Sequence, residues 1–519
     1  MTQPDGPVVR TTAGSVQGFT ADGISVFRGV PYAAPPVGPL RYAKAVPPPA
    51  WPGVRPCVEY GAHAHQGTSR EVADTRFPLP EPQDEDCLFL NVATSGLADA
   101  SRPVFVYVHS GGYFLGSANS DYLDGPAFAR DDVVFVSVTY RLNSLGFLYL
   151  DELFDGLHGT GNLGITDVVR ALEWVQENIA AFGGDPTRVT VGGHSAGGLT
   201  SFSLLASPLA KGLFHRTVPI SCAAAHSTIL PDPATRVARR VLQEVGIRPG
   251  DLDALRSAPA RSLIVPNRIV AELHALSDGH PLDPVADGDL LSGRAIDGLR
   301  DGAGAEVDVL VGVMSEEFRV IVFDENGQVR KEPLRMGVSS AGLDYMALFK
   351  EGGQSREQVE DVYRRSLAAH GRADTAAEIF AAASSDYVML GPSGEAAEAH
   401  SRAGGNTYSY RFAWRPPAGG GLVGSQHGND IPFFFNRVHT PEWRHLFQDQ
   451  APPELGQAYH DAIVAFTTTG DPNVPSLPPW QPYDARERAT MIFDTTSTLV
   501  HDPDGERREL FAGLRGYHG

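Results

Sequence analysis

The stretch Val189–Gly198, VTVGGHSAGG, decides how the chain is read. Gly193-His194-Ser195-Ala196-Gly197 fits G-x-S-x-G, the pattern of a nucleophile exposed on a tight strand-to-helix turn. The match alone carries little weight. The chain contains 56 glycines, and at that content chance supplies roughly 0.3 such matches in about 500 residues. Its surroundings carry more. Upstream, RVTVGG (188–193) is apolar and β-branched, as suits a buried strand. Downstream, SAGGLTSFSLLAS (195–207) places Leu199, Phe202, Leu204 and Leu205 where a helix can pack them. Ser195 falls at the junction, where a strained backbone needs small neighbours, and Gly193, Ala196 and Gly197 supply them. A plain glycine-rich turn with a helix-capping serine is the competing reading.

Similar apolar runs recur in PVFVYVH (103–109), DVVFVSVTY (132–140), VDVLVGV (307–313) and TYSYRFAW (407–414). Between them, TDVVRALEWVQENIAAF (166–182) sets Val168, Ala171, Leu172, Val175, Ile179 and Phe182 on one helical stripe, with Asp167 read as a first-turn acid. Strands alternating with helices predict an α/β fold whose central sheet is mostly parallel and flanked by helices. Helical segments around 232–300 and 340–400 stand outside that alternation and are expected to be cap insertions. Residues 1–519 are expected to form one domain.

The stretch VYVHSGGYFLGS (106–117) ends a strand at His109 and continues into Ser110-Gly111-Gly112. Backbone N–H groups without side chains in the way can point at a developing oxyanion. Gly111, Gly112 and the residue after the nucleophile, Ala196, are the candidate donors.

Composition narrows the partners. Lysine and arginine total 42 against 62 aspartates and glutamates, a formal net charge of −20. Such a field repels phosphate backbones and anionic membranes, so neither a nucleic acid nor a membrane is an expected partner. No apolar run approaches the roughly 18–20 residues of a membrane helix. The opening MTQPDGPVVRTTAG has no basic segment followed by an apolar one, the mark of a secretory signal. Three cysteines, Cys57, Cys87 and Cys222, make an odd and sparse set, so a reduced, cytoplasmic setting is expected.

Further stretches, taken in order, resemble the type-B carboxylesterase/lipase family of the α/β-hydrolase superfamily, in its para-nitrobenzyl esterase-like form. FRGVPYAAPPVGPLRY (27–42) is similar to the family's F-x-G-[IV]-P-Y-A-x-P-P-x-G-x-L-R-[FY], and EDCLFLNV (85–92) to its second signature. YRLNSLGFL (140–148), the 161–186 segment, the elbow, PVADGDLL (284–291), VGVMSEEF (311–318), QHGNDIPFFF (426–435) and TTTGDPN (467–473) follow in family order. The resemblance covers essentially the whole chain.

It implies an α/β-hydrolase fold and a serine hydrolase acting through an acyl-enzyme on Ser195. Glu317 becomes the acid and His427 the general base, with Gly111, Gly112 and Ala196 as oxyanion donors; no metal and no organic cofactor take part. Ser195 Oγ is a weak nucleophile until an imidazole takes its proton, and a carboxylate must fix that imidazole's tautomer. Glu316 and Glu317 compete for that role. Neighbours in extended chain point in opposite directions, so only one can face His427. The family pattern counted from Gly312 selects Glu317. The resemblance also implies Arg41–Glu85 and Arg141–Asp167 ion pairs, and a supporting role for Asp430.

Departures from the family shape the substrate expectation. Most relatives carry glutamate where His194 stands, and the segment between Ala64 and Cys87 has no tryptophan for a cation–π platform. The expected substrate is therefore an uncharged carboxylic ester, a small molecule. The family's disulfide partner for Cys87 is replaced by Ala64, so Cys87 is expected to be reduced, with nearby Cys57 as the alternative partner. ISC (220–222) replaces the family's QSG around Ser221. A specialised acyltransferase, or a biosynthetic cyclase or lyase reusing the triad, is the alternative reading. A non-catalytic scaffold relative is disfavoured, because all three triad residues are present.

Overall fold

The computed structural model describes residues 6–67, 81–97, 101–119, 123, 125–277, 279–324, 326–330 and 354–511. The chain divides into two compact units, Met1–Thr217 with Thr228–Ala295, and Val218–Ser227 with Ile296–Gly519. No helix among the described residues is long and apolar enough to cross a membrane.

The first unit carries strands β1 (Val8–Arg10), β2 (Ser15–Gln17), β3 (Phe19–Ala21), β4 (Ile24–Pro31), β5 (Val54–Pro56), β6 (Phe89–Thr94), β7 (Arg102–Val108), β8 (Val134–Val138) and β9 (Gly184–His194). Strands β1, β2 and β5 form a small sheet of their own. In the larger sheet β9, β7 and β8 run parallel, and β6, β4 and β3 continue antiparallel. Val104, Val106 and Val108 of β7 and Val134, Val136 and Val138 of β8 are wholly buried. Strands covered on both faces lose the polar alternation of a half-exposed sheet, which is why these runs read as continuously apolar.

The long helix between β8 and β9 differs from its sequence reading. It spans Leu163–Asn178 and continues as a 3-10 turn, Ile179–Phe182. The stripe of Val168, Ala171, Leu172, Val175, Ile179 and Phe182 is fully buried. Because the helix starts three residues before Thr166, Asp167 lies beyond its first turn. The carboxylate instead takes a bidentate pair from Arg141, at 2.8 and 2.6 Å. Gly183 at φ 83° closes the 3-10 turn in the left-handed region that a side chain would disfavour. The 232–300 region of this unit folds into helices Pro231–Val245, Leu252–Ser257 and Asn267–Ser277. Val237, Val241, Leu255 and Leu273 pack there against Leu145, Leu150 and Leu163.

Strand β10 (Arg216–Ile220) contains the boundary between the units. In the second unit β11 (Asp308–Met314), β12 (Thr407–Phe412) and β13 (Ala489–Phe493) pair in parallel, and β14 (Thr498–His501) closes the edge antiparallel. Of the expected 340–400 insertion, residues 340–353 lie outside the described residues. The remainder is helical: Arg356–Ala369, opened by a Ser355/Gln358 capping box, then Ala376–Ser385 and Gly391–Arg402. A wide turn at Asp386–Leu390 joins the last two.

Candidate active site

Ser195 stands between β9 and the helix Ala196–Leu205, at φ 58° and ψ −120°. An L-residue adopts that backbone only when its surroundings over-determine it. The glycines around it explain how. A Cβ on Gly193 would lie 2.1 Å from the Val108 carbonyl oxygen, and one on Gly197 would lie 2.0 Å from the same atom. Strand β7 therefore presses its last carbonyl into the elbow, and only side-chain-free residues admit it. Val108 also pairs with Gly193 across the parallel ladder. The loops leaving β7 and β9 thus emerge side by side.

The loop after β7 is held open by contacts on both flanks. Gly111 has φ 125° and Gly112 φ 60°, and a Cβ on Gly111 would meet Leu115 O at 2.0 Å. Phe114 and Leu115 N–H groups donate back to Gly111 O at 3.1 Å. Gln66 pins the far end: its Oε1 accepts from Gly116 N at 2.9 Å while its Nε2 donates to Gly116 O at 3.0 Å. Tyr140 OH donates to His109 O at 2.9 Å, and Asn143 N–H donates to Tyr113 O at 2.7 Å. Burial lowers the His109 imidazole to about 4, so a neutral ring stands at the root of the loop. Nothing in the sequence announced Gln66 as a clamp, since its partner lies 50 residues away and the pairing is to backbone.

In the second unit, the strand end of β11 turns Glu317 inward. It is wholly buried, and its Oε2 lies 2.6 Å from His427 Nδ1. Its other oxygen accepts from Met314 N at 2.8 Å, and His427 N–H donates to Glu317 O at 3.1 Å. A carboxylate only accepts, so Nδ1 carries the proton and Nε2 is left as the basic nitrogen. Glu316 points the other way. It binds Arg372, accepts from Ser425 N at 2.9 Å, and stands 3.1 Å from Arg415 Nε. Burial raises the Glu316 carboxyl, but Arg372, Arg415 and Arg319 outweigh it and hold the group below the usual range.

Asp430 Oδ2 accepts from Tyr459 OH at 3.0 Å, and Tyr459 OH lies 2.7 Å from Tyr410 OH. Burial pushes the Asp430 carboxyl up to about 7. The Tyr410 ring fills the space over Gly312, its partner in the β11–β12 ladder, where a Cβ would come within 1.8 Å of it.

The remaining expectations concern pairs and thiols. Arg41 binds Glu85 at 2.7 Å, and its Nη1 also donates to Arg256 O at 2.8 Å and Ala258 O at 2.6 Å. Cys57, Cys87 and Cys222 are all free and buried. Burial raises every one of these thiols, Cys57 to about 11 and Cys222 to about 12. Ser221 is buried at φ 50°, with its N–H donating to Gly312 O at 2.7 Å.

A model of the carboxylesterase family matches residues 5–510. The para-nitrobenzyl esterase of Bacillus subtilis (strain 168) is 31% identical over 525 residues, covering 98% of this chain and 99% of its own. The phenmedipham hydrolase of Pseudarthrobacter oxydans is 32% identical over 509 residues, covering 94% of each. Among solved structures, a carboxylesterase of Geobacillus stearothermophilus matches with a TM-score of 0.79 at 31% identity, covering 97% of this chain and 99% of that one.

Proposed function

The chain belongs to the carboxylesterase family and is a carboxylic ester hydrolase of the α/β-hydrolase fold, and on that premise we propose that Ser195, His427 and Glu317 are its catalytic triad. The observation that carries the reading is the 2.6 Å bond from His427 Nδ1 to the buried Glu317 carboxylate. It fixes the tautomer that a general base needs.

The chemistry follows. His427 Nε2 takes the proton of Ser195 Oγ as that oxygen attacks the ester carbonyl carbon. The carbonyl oxygen becomes an oxyanion, and the N–H groups of Gly111, Gly112 and Ala196 receive it. Each donor of this kind is worth about 3 kcal/mol of barrier, because it is oriented before the charge forms. Glu317 stabilises the imidazolium without taking its proton. Collapse of the intermediate breaks the bond to the alcohol oxygen, which leaves with the proton from His427. Water then repeats the sequence on the acyl-enzyme and releases the carboxylic acid.

The substrate class is an uncharged ester. His194 removes the acidic charge that a glutamate would place beside the nucleophile, and one relative is named a para-nitrobenzyl esterase. The buried, unoxidised thiols fit a cytoplasmic setting. An organophosphate should add once per chain, on Ser195. Stoichiometric labelling of another serine in the native protein would overturn the assignment.

A further inference from the structure

Beyond the helix Asn267–Ser277, the chain of the first unit returns to the loop that follows β7. A Cβ on Gly112 would lie 3.5 Å from His280 Nε2. By standard bond lengths, that nitrogen stands within about 6 Å of the Gly112 N–H. The triad and the oxyanion donors leave this imidazole unused.

His280 is held on several sides. His274 Nδ1 donates to Gly279 O at 2.8 Å, and the Ser277 hydroxyl donates to the same carbonyl at 2.7 Å. These bonds fix the turn that leads into His280, and Asp283 N–H donates to His280 O at 3.2 Å. The ring meets Phe114 edge-on at 5.4 Å and His274 edge-on at 5.5 Å between centroids. Asp283 Oδ1 stands 3.3 Å from Nδ1, a nitrogen that solvent does not reach and that makes no directed hydrogen bond among the described residues. Nε2 is different. The side chain keeps 17% of its surface open, and Nε2 is its solvent-reached nitrogen, with no hydrogen-bond partner among the described residues. The Asp283 carboxylate draws the ring proton to Nδ1 and leaves a lone pair on Nε2.

We propose that His280 is a specificity-determining residue whose Nε2 hydrogen-bonds a hydroxyl on the substrate, which makes hydroxylated esters a preferred substrate class. The inference rests on Gly112 as an oxyanion donor. A hydroxyl both donates and accepts, so it satisfies Nε2 in either tautomer. The interval to Gly112 suits a hydroxyl one or two carbons from the reacting ester group, on the acyl or the alcohol side. An anionic substituent is disfavoured, because Asp283 already sets a negative charge against the same ring. An apolar substituent would strip water from Nε2 and return no bond.

Ethyl 3-hydroxybutyrate and 2-hydroxyethyl butyrate, each compared with ethyl butyrate at pH 8, test it on the acyl and the alcohol side. At least one hydroxylated ester should show a kcat/KM about five- to tenfold above ethyl butyrate, the scale of one neutral hydrogen bond. Whichever ester is preferred identifies the side that carries the hydroxyl. His280→Phe keeps an aromatic ring against Phe114 and should bring that ratio to about one. Each ratio is taken within one variant, so a general loss of activity cancels from it. His280→Leu gives the same comparison if the phenylalanine does not fold. Equal rates for all three esters in the wild-type chain, or a preference that survives loss of the imidazole, would overturn the inference. Neither result touches the triad, whose failure would show instead in the Ser195, Glu317 and His427 variants.

Discussion

Glu316 and Glu317 are adjacent, yet Glu317 bonds His427 at 2.6 Å while Glu316 is bound by Arg372 and Ser425 N. The same strand end therefore serves two tasks. One carboxylate orients an imidazole, and the other anchors an arginine cluster behind it. Glu317→Gln keeps the shape but removes the acceptor charge, and should lower kcat by about 10⁴-fold. Glu316→Gln should lower kcat by roughly tenfold or less, while lowering Tm because buried guanidiniums lose their partner. Steady-state kinetics and melting curves on both variants check this, and the reverse ranking in kcat would move the acid to Glu316.

Ser195→Ala should cost about 10⁶-fold in ester turnover. Its circular dichroism and Tm should match the parent, since alanine fits the same backbone with one atom fewer. Residual turnover near that of the parent would remove Ser195 from the chemistry.

Glycine positions separate sharply by what surrounds them. Gly193→Ala drives a methyl to within 2.1 Å of Val108 O and should cost about 3 kcal/mol or more, with loss of soluble protein. Gly394 lies in the helix Gly391–Arg402 with nothing within 4 Å of a Cβ. Gly394→Ala should raise stability by about 0.5–1 kcal/mol, through the entropy that glycine loses in a helix. Urea denaturation of both variants gives the two signs.

Asp430 has a folded value of about 7 against an ordinary 3.8. Between those values the native state keeps a proton that the unfolded chain has released, so this group's contribution falls as pH rises across the window. Above about 7 both states are ionised and the loss is complete. Asp430→Asn removes the titration while keeping an acceptor for Tyr459. The stability of the variant relative to the parent should climb between pH 4 and pH 7, by on the order of a few kcal/mol, then level off. A gap that does not change with pH would refute the buried, protonated carboxyl.

Much of this was legible in the sequence because the chemistry is local. The β7, β9, β11 and β12 runs stood out because strands covered on both faces have no polar side. The elbow stood out because Gly193 and Gly197 must clear one carbonyl. Glu317 and His427 were legible only through the family pattern, since 110 residues separate them. The start of the helix at Leu163 was missed because Asp167 reads as a first-turn acid, when its carboxylate is committed to Arg141. The Gln66 clamp was hidden for a related reason: its partner is the backbone of Gly116, and no spacing rule encodes that.

All three thiols are buried with raised values, and thiolate is the reactive form. Native protein should therefore resist an aromatic disulfide reagent at pH 8, and unfolding in guanidinium should release three equivalents, one for each cysteine. Rapid reaction of any of them in the folded state would contradict their burial.

The pairing of Gly312 with the Tyr410 ring bears on how the family can change over time. A side chain at 312 and a tyrosine at 410 exclude each other, because a Cβ would fall within 1.8 Å of the ring. Tyr410 is in turn tied to Tyr459, and Tyr459 to Asp430. A lineage can enlarge position 312 only after position 410 has shrunk, and shrinking 410 takes from the Tyr459 hydroxyl one of its two partners, leaving Asp430. Substitutions at these four positions should therefore arise in a fixed sequence, recorded in related genes as joint replacements.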